Sequence, residues 1–180
     1  GGFSMGGKDR PASNVPLRAG KGWMYEGGIR EPYIIAGPGI AQPGSVCGVP
    51  VTSTDFYPTL LEMAGLDALP SQHPDGVSLV PLLQGHETLA RRAIYWHYPH
   101  YAGGHGGRPA AAVRSGNYKL IEFFEDSHVE LYNLDDDIGE QKDLAPDMPE
   151  KTAELRAMLH NWYEEVDAKM PSLNSEYVAP

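Results

Sequence analysis

Leu17-Arg18-Ala19-Gly20-Lys21-Gly22-Trp23-Met24-Tyr25-Glu26-Gly27-Gly28-Ile29-Arg30-Glu31-Pro32 sets the terms on which the rest of the chain is read. Each of its four glycines costs about 1 kcal/mol against alanine in a helix, and a strand loses packing at every one. The segment therefore reads as a structured loop. Glycines let backbone approach a ligand or another segment closely. Lys21, between two of them, is a flexible cationic stem able to reach an anion. Arg18, Glu26 and Arg30 read as support, with a Glu26–Arg30 pair holding the loop.

Working outward, Pro32-Tyr33-Ile34-Ile35-Ala36 is a short apolar run without alternation, as expected of a strand covered on both faces. Thr54 is placed to cap a helix in which Phe56, Leu60, Met63 and Ala64 recur at helical spacing and Gly65 ends the run, with Met63 as core filler. Ser78 caps a short helix stopped by Gly85. Ala93–Tyr98 has strand composition, and Ala111–Ser115 and Tyr118–Phe124 flank a Gly116-Asn117 hairpin turn. Val129–Leu134 forms a further strand, with Val129 and Leu131 on one face and Glu130 and Tyr132 on the other. Asp135-Asp136-Asp137 lacks the order of a calcium loop and reads as turn chemistry. In the closing helix Asp147 is the expected cap, Pro149 suits the first turn, and Leu155, Met158, Leu159, Trp162 and Val166 form one apolar stripe.

Composition narrows the functions. The 180 residues carry a net charge of −10, divided −3 and −7 between residues 1–90 and 91–180. A chain this acidic presents no broad basic surface, so nucleic acid is not an expected partner. No apolar run approaches a membrane span, so no membrane partner is expected. One cysteine, Cys47, forms no internal disulfide and reads as an ordinary small buried residue.

Several of these stretches, in this order, resemble the sulfatase family: GKGWMYEGGIREP at 20–32, TSTDFYPTLLEMAG at 52–65, DGVSLVPLLQG at 75–85, VRSGNYKLIEF at 113–123 and HVELYNLDDDIGEQKDL at 128–144. The resemblance covers nearly the whole chain. It implies an α/β fold in which residues 1–90 are the C-terminal part of a catalytic domain. Residues 91–180 are then a small subdomain of antiparallel sheet packed on a C-terminal helix. It implies cleavage of sulfate esters of a sugar or aryl substrate by a formylglycine nucleophile, with a calcium ion polarising the sulfate. Cys47 is followed by Gly48, Val49 and Pro50, which does not fit the C/S-x-P-x-R setting of that nucleophile. The nucleophile and the calcium ligands are therefore expected upstream of Gly1, no metal ligands are expected here, and the chain alone is expected to be an inactive fragment. The opening Gly1-Gly2-Phe3-Ser4-Met5-Gly6-Gly7 reads as the continuation of such a segment.

Lys21 alone carries over as catalytic, contacting a sulfate oxygen and the leaving oxygen. A second constellation, His97, His100, His105 and Arg108 with Tyr95, Trp96, Tyr98 and Tyr101 around a glycine-rich loop, suits an anionic sugar or aryl group. His97, His100 and Arg108 are the expected substrate-binding residues. The expected partners are a sulfated small molecule or glycan and the upstream part of the same enzyme, in the periplasm or secreted. Two alternatives stay open: a phosphoester or phosphonate hydrolase of the same superfamily, and a non-catalytic carbohydrate-binding fragment.

Overall fold

The computed structural model of the chain describes residues 13–40, 43–172 and 174–176. The expectations for the opening glycine-rich segment lie outside the described residues. Among the described residues the α-helices are Glu26–Ile29 (α1), Phe56–Met63 (α2), Val80–Leu83 (α3) and Pro149–Glu165 (α4). The strands are Ile94–Tyr98 (β1), Ala110–Ser115 (β2), Tyr118–Phe123 (β3) and Val129–Asn133 (β4).

The strands form one antiparallel sheet in the order β1-β2-β3-β4. Gly116 makes the expected β2–β3 turn with φ +57°. Tyr95, Val113, Leu120 and Leu131 lie in one row across the sheet, and Trp96, Ala112, Ile121 and Glu130 in the next. Neighbouring rows face opposite ways because strand side chains alternate. One face takes α4: Leu155 and Leu159 pack with Ala111, Val113, Leu120 and Leu131. Each such leucine contributes about 1.5–3 kcal/mol relative to exposure. Trp162 stacks on Tyr95 at 4.9 Å. Glu122, buried between sheet and helix, pairs with Arg156 at 2.7 Å and His160 at 2.8 Å. The other face takes the glycine-rich stretch, where Met24 and Tyr25 pack with Ala110, Ala112, Ile121, Phe123, Tyr132 and Leu134.

The chain packs as two compact units, and the glycine-rich stretch goes with the sheet. Of the described residues, one unit combines those up to 32 with those from 93 onward, and the other takes those within 33–92. In the 33–92 unit, Asp55 is fully buried. It accepts from the backbone N–H groups of Thr52 (2.7 Å) and Val77 (3.0 Å) and pairs with Arg91.

Several local expectations are corrected here. Thr52, with Asp55 three residues on, forms the box before α2, so Thr54 is not the cap. The buried positions of α2 are Pro58 and Thr59, while Phe56, Leu60 and Met63 are exposed; Met63 is not core filler. Residues 32–36 are not in a ladder, because no described strand lies alongside, and Ile34 is 88% exposed. Met148, not Asp147, occupies the N-cap of α4, and Asp147 faces Lys142 at 3.4 Å instead. Cys47 is exposed. The aspartate run is turn chemistry as read: the Asp137 carboxylate accepts from the backbone N–H groups of Gln141 (2.7 Å) and Lys142 (2.9 Å).

Candidate functional site

The glycine-rich stretch folds back on itself because its glycines allow backbone to touch backbone. A Cβ on Gly28 would lie 2.1 Å from the Trp23 carbonyl oxygen and 2.6 Å from that of Gly20. One on Gly27 would lie 2.3 Å from the Arg18 oxygen. The turn that carries Lys21 therefore rests directly on the backbone of α1. Hydrogen bonds from Trp23 N–H to Gly20 (3.1 Å) and from Gly27 N–H to Arg18 (2.9 Å) close it.

Beneath this turn lies a buried charged group. Lys119 of β3, fully buried, donates to Glu26 Oε1 at 2.9 Å and lies 2.8 Å from Glu140 Oε1. Glu140 Oε2 accepts the Glu26 backbone N–H at 2.7 Å. The expected Glu26–Arg30 pair is present at 3.4 Å, and Arg114 stands 4.0 Å from the same carboxylate. Burial pushes the Glu140 carboxyl above its ordinary value, against the pull of Lys119. Arg18 lies over the Tyr25 ring at 3.8 Å and donates to Tyr132 Oη and to the Glu140 carbonyl, each at 2.8 Å. Tyr25 and Tyr132 both donate to Glu130 at 2.8 Å, and burial raises both phenol pKa values. Arg18 and Glu26 thus act as supports, as read from the sequence.

Lys21 itself is exposed, and no hydrogen bond or ion pair joins its amine to a described residue. Its surroundings include the second constellation's loop. Gly22 has φ +90°, and a Cβ there would meet the Ala102 Cβ at 2.5 Å. A Cβ on Gly107 would fall 1.6 Å from the Gly22 carbonyl oxygen. Trp23 Nε1 donates to the His105 carbonyl at 3.0 Å. The two loops interlock, so Lys21 and the 99–108 loop share one side of the sheet.

The members of that constellation divide. His100 is exposed, its ring edge-on to Tyr98 at 5.4 Å. His97 is not brought to the lysine: it lies in the row of Ala111 on the α4 face, packs against Phe124 and Tyr163 at 5.5 Å each, and meets the Lys169 carbonyl at 3.0 Å. Strand parity decides this, since residues 96 and 98 face the loop and 97 cannot. Arg108 is taken up by Glu125 and by Asp126 (3.4 Å), and its guanidinium lies 5.1 Å from the Phe123 ring centre. Tyr101 donates to Glu125 at 2.8 Å. Arg108 therefore fastens the loop rather than presenting a free cation. Hydrogen bonds from Tyr101 and Arg108 lower the Glu125 pKa, and His128 at 2.6 Å brings Asp126 down to about 2.

Sequence reading missed Lys119 and Glu140. A lysine at a strand position whose neighbours in the row are Arg114 and Tyr132 gave one usable signal, because the face it shares is buried by the glycine-rich stretch. Among the described residues, no group of three or more His, Cys, Asp or Glu is gathered as a metal site.

The fold recurs among solved structures. The chain matches the crystal structure of Ps i-CgsB in complex with k-i-k-neocarrahexaose with a TM-score of 0.75 and 28% identity, over 93% of this chain and 36% of that one. It matches BT4656, solved with its substrate D-glucosamine-2-N,6-O-disulfate, with a TM-score of 0.54 and 30% identity, over 65% of this chain and 24% of that one. The chain belongs to the sulfatase family: residues 19–169 match the C-terminal family of N-sulphoglucosamine sulphohydrolase. A sulfatase of Formosa agariphila is 37% identical over 168 residues, which are 87% of this chain and 30% of that protein. The chain thus spans about a third of the length of the relatives it matches.

Proposed function

We propose that this chain supplies the sulfate-gripping lysine and part of the substrate wall of a sulfuric ester hydrolase. The observation that carries the reading is Lys21: an exposed ammonium with no partner among the described residues, on a loop held by the buried Glu26–Lys119–Glu140 group and locked to the loop of His100 and His105. Sulfate-ester hydrolysis breaks the S–O bond to the alcohol and transfers the sulfuryl group to a nucleophile and finally to water. Negative charge grows on the leaving oxygen as that bond breaks. A fixed ammonium with three donors stabilises that charge and helps orient the sulfate oxygens. In this reading Lys21 supplies that ammonium.

His100 with Tyr98 and Tyr101 would line the side of the site that meets a sugar or aryl ring. A sulfated glycan fits both the aromatic rim and the ligands named for the related structures. The nucleophile, a formylglycine by family resemblance, and a calcium ion belong to this proposal as groups held by other polypeptide. Calcium would supply Lewis-acid polarisation of the sulfate when bound. Export to the periplasm or secretion belongs to the proposal on the same basis.

The test compares hydrolysis of an aryl sulfate and an aryl phosphate by the full-length enzyme carrying this chain. Sulfate preference is expected. A preference for phosphate would transfer Lys21 to a phosphoester hydrolase, and turnover of neither would favour a carbohydrate-binding role.

A further inference from the structure

The Glu26–Lys119–Glu140 group asks for a reason beyond stability. Buried ion pairs add little net stabilisation, since the desolvation of each charge offsets the attraction, and an apolar filling of the same volume often serves as well or better. Here two carboxylates and one ammonium are all almost wholly buried on the face of the sheet that carries the lysine loop. Their geometry addresses backbone as well as side chain: Glu140 holds the Glu26 N–H while Lys119 holds the Glu26 carboxylate. Glu26 is thereby fixed in position and direction.

That fixation reaches Lys21 through contacts on both of its sides. Gly20 and Trp23, which bracket the Lys21-Gly22 pair, lay their carbonyl oxygens against Gly28, two residues after Glu26. Any displacement of Glu26 must carry α1 with it, and α1 carries both ends of the Lys21 turn. Tyr25, next to Glu26, is separately tied to Glu130. The remaining groups facing the Glu26 carboxylate are Arg30 and Arg114, both of which hold its second oxygen.

We infer that Glu26, Lys119 and Glu140 are positioning residues for Lys21, holding its turn in register with the reacting sulfate. This inference rests on the proposed contact between Lys21 and sulfate. A charged group earns its place here because directional bonds to one carboxylate and one N–H define an orientation that apolar packing does not. Misplacement of a reacting group by about 1 Å can cost on the order of a hundredfold in rate.

The experiment is a double-mutant cycle in the full-length enzyme with an aryl sulfate. Glu26→Gln and Glu140→Gln keep shape and hydrogen-bonding capacity, and each is combined with Lys21→Ala. With Lys21 present, each Gln variant is expected to lower kcat/KM at least about tenfold, chiefly through kcat, with a folded protein by circular dichroism. In the Lys21→Ala background the same change should cost less than about twofold, because the group it positions is gone. Equal losses in both backgrounds, or no loss when Lys21 is present, would overturn the inference. So would failure of both Gln variants to fold, which would make the group an element of folding alone. If Lys21→Ala itself leaves kcat/KM unchanged, the sulfate contact fails instead, and the two failures are told apart by that single variant.

Discussion

Lys119→Met gives the sharpest test of how the loop is held. The substitution keeps an unbranched chain of similar length but deletes the ammonium that stands 2.9 Å from Glu26 and 2.8 Å from Glu140. Both carboxylates stay buried; among the described residues Arg30 and Arg114 remain near the Glu26 carboxylate, and the Glu140 carboxylate keeps no paired cation, Arg18 being bonded to its backbone carbonyl instead. Removing one partner from a buried ion pair costs about 3–5 kcal/mol, because the uncompensated charge remains. For a chain of this size that corresponds to a fall in Tm of about 6–20 °C. The pH dependence follows with a definite sign. Burial already raises the Glu140 pKa, and losing Lys119 raises it further. A carboxyl whose folded pKa exceeds its unfolded value opposes folding in its ionised form. Stability is therefore greatest below the unfolded pKa and falls as pH rises through the folded one. Thermal unfolding of wild type and Lys119→Met across pH should show the gap narrowing toward acid and widening toward neutrality. A gap under about 1 kcal/mol at neutral pH, or one that widens on acidification, would refute the reasoning. Recovery of stability in the triple variant Glu26→Gln, Lys119→Met, Glu140→Gln would locate the cost in the stranded charges.

Two further outcomes follow from the loop geometry. Gly107→Ala places a Cβ 1.6 Å from the Gly22 carbonyl oxygen, backbone that cannot swing aside; a loss of about 1–3 kcal/mol in urea unfolding is expected, with faster proteolysis within residues 99–108. The clamp formed by Tyr101, Arg108, Glu125 and Asp126 depends on two carboxylates whose pKa values lie below the ordinary 4.5 and 3.8, that of Asp126 at about 2. Its contribution is complete above about pH 4.5 and is lost as pH falls toward about 2, so amide protection in the loop, corrected for the intrinsic exchange rate, should fall over that window.

Much of the sheet was legible from the chain because local signals and burial agree there. Gly116-Asn117 between two apolar runs needs a left-handed glycine, and the structure has one. The alternation in Val129–Asn133 is the alternation of its two buried faces. The same rule, applied to Tyr95-Trp96-His97-Tyr98, would have separated His97 from Trp96 and Tyr98. Clustering histidines by nearness in sequence overrode it. The pairing of Arg108 was hidden for a related reason, since the carboxylates that occupy it, Glu125 and Asp126, come from the turn between β3 and β4. Lys119 left only a faint signal and Glu140 none, because their significance lies in meeting Glu26, 93 and 114 residues away. Periodicity also failed in α2. Phe56, Leu60 and Met63 form an apolar stripe at helical spacing, yet the 33–92 unit buries Pro58 and Thr59 instead, with the Thr59 hydroxyl donating to the Asp55 carbonyl. An apolar stripe states what can be covered, not what covers it.

The central claim is that the Lys21 ammonium grips the transferred sulfate. The most direct measurement is single-turnover hydrolysis of an aryl sulfate by the full-length enzyme, wild type against Lys21→Ala. The account predicts a loss of at least about tenfold in the chemical step, roughly 1.4 kcal/mol of transition-state stabilisation. An unchanged rate would contradict it.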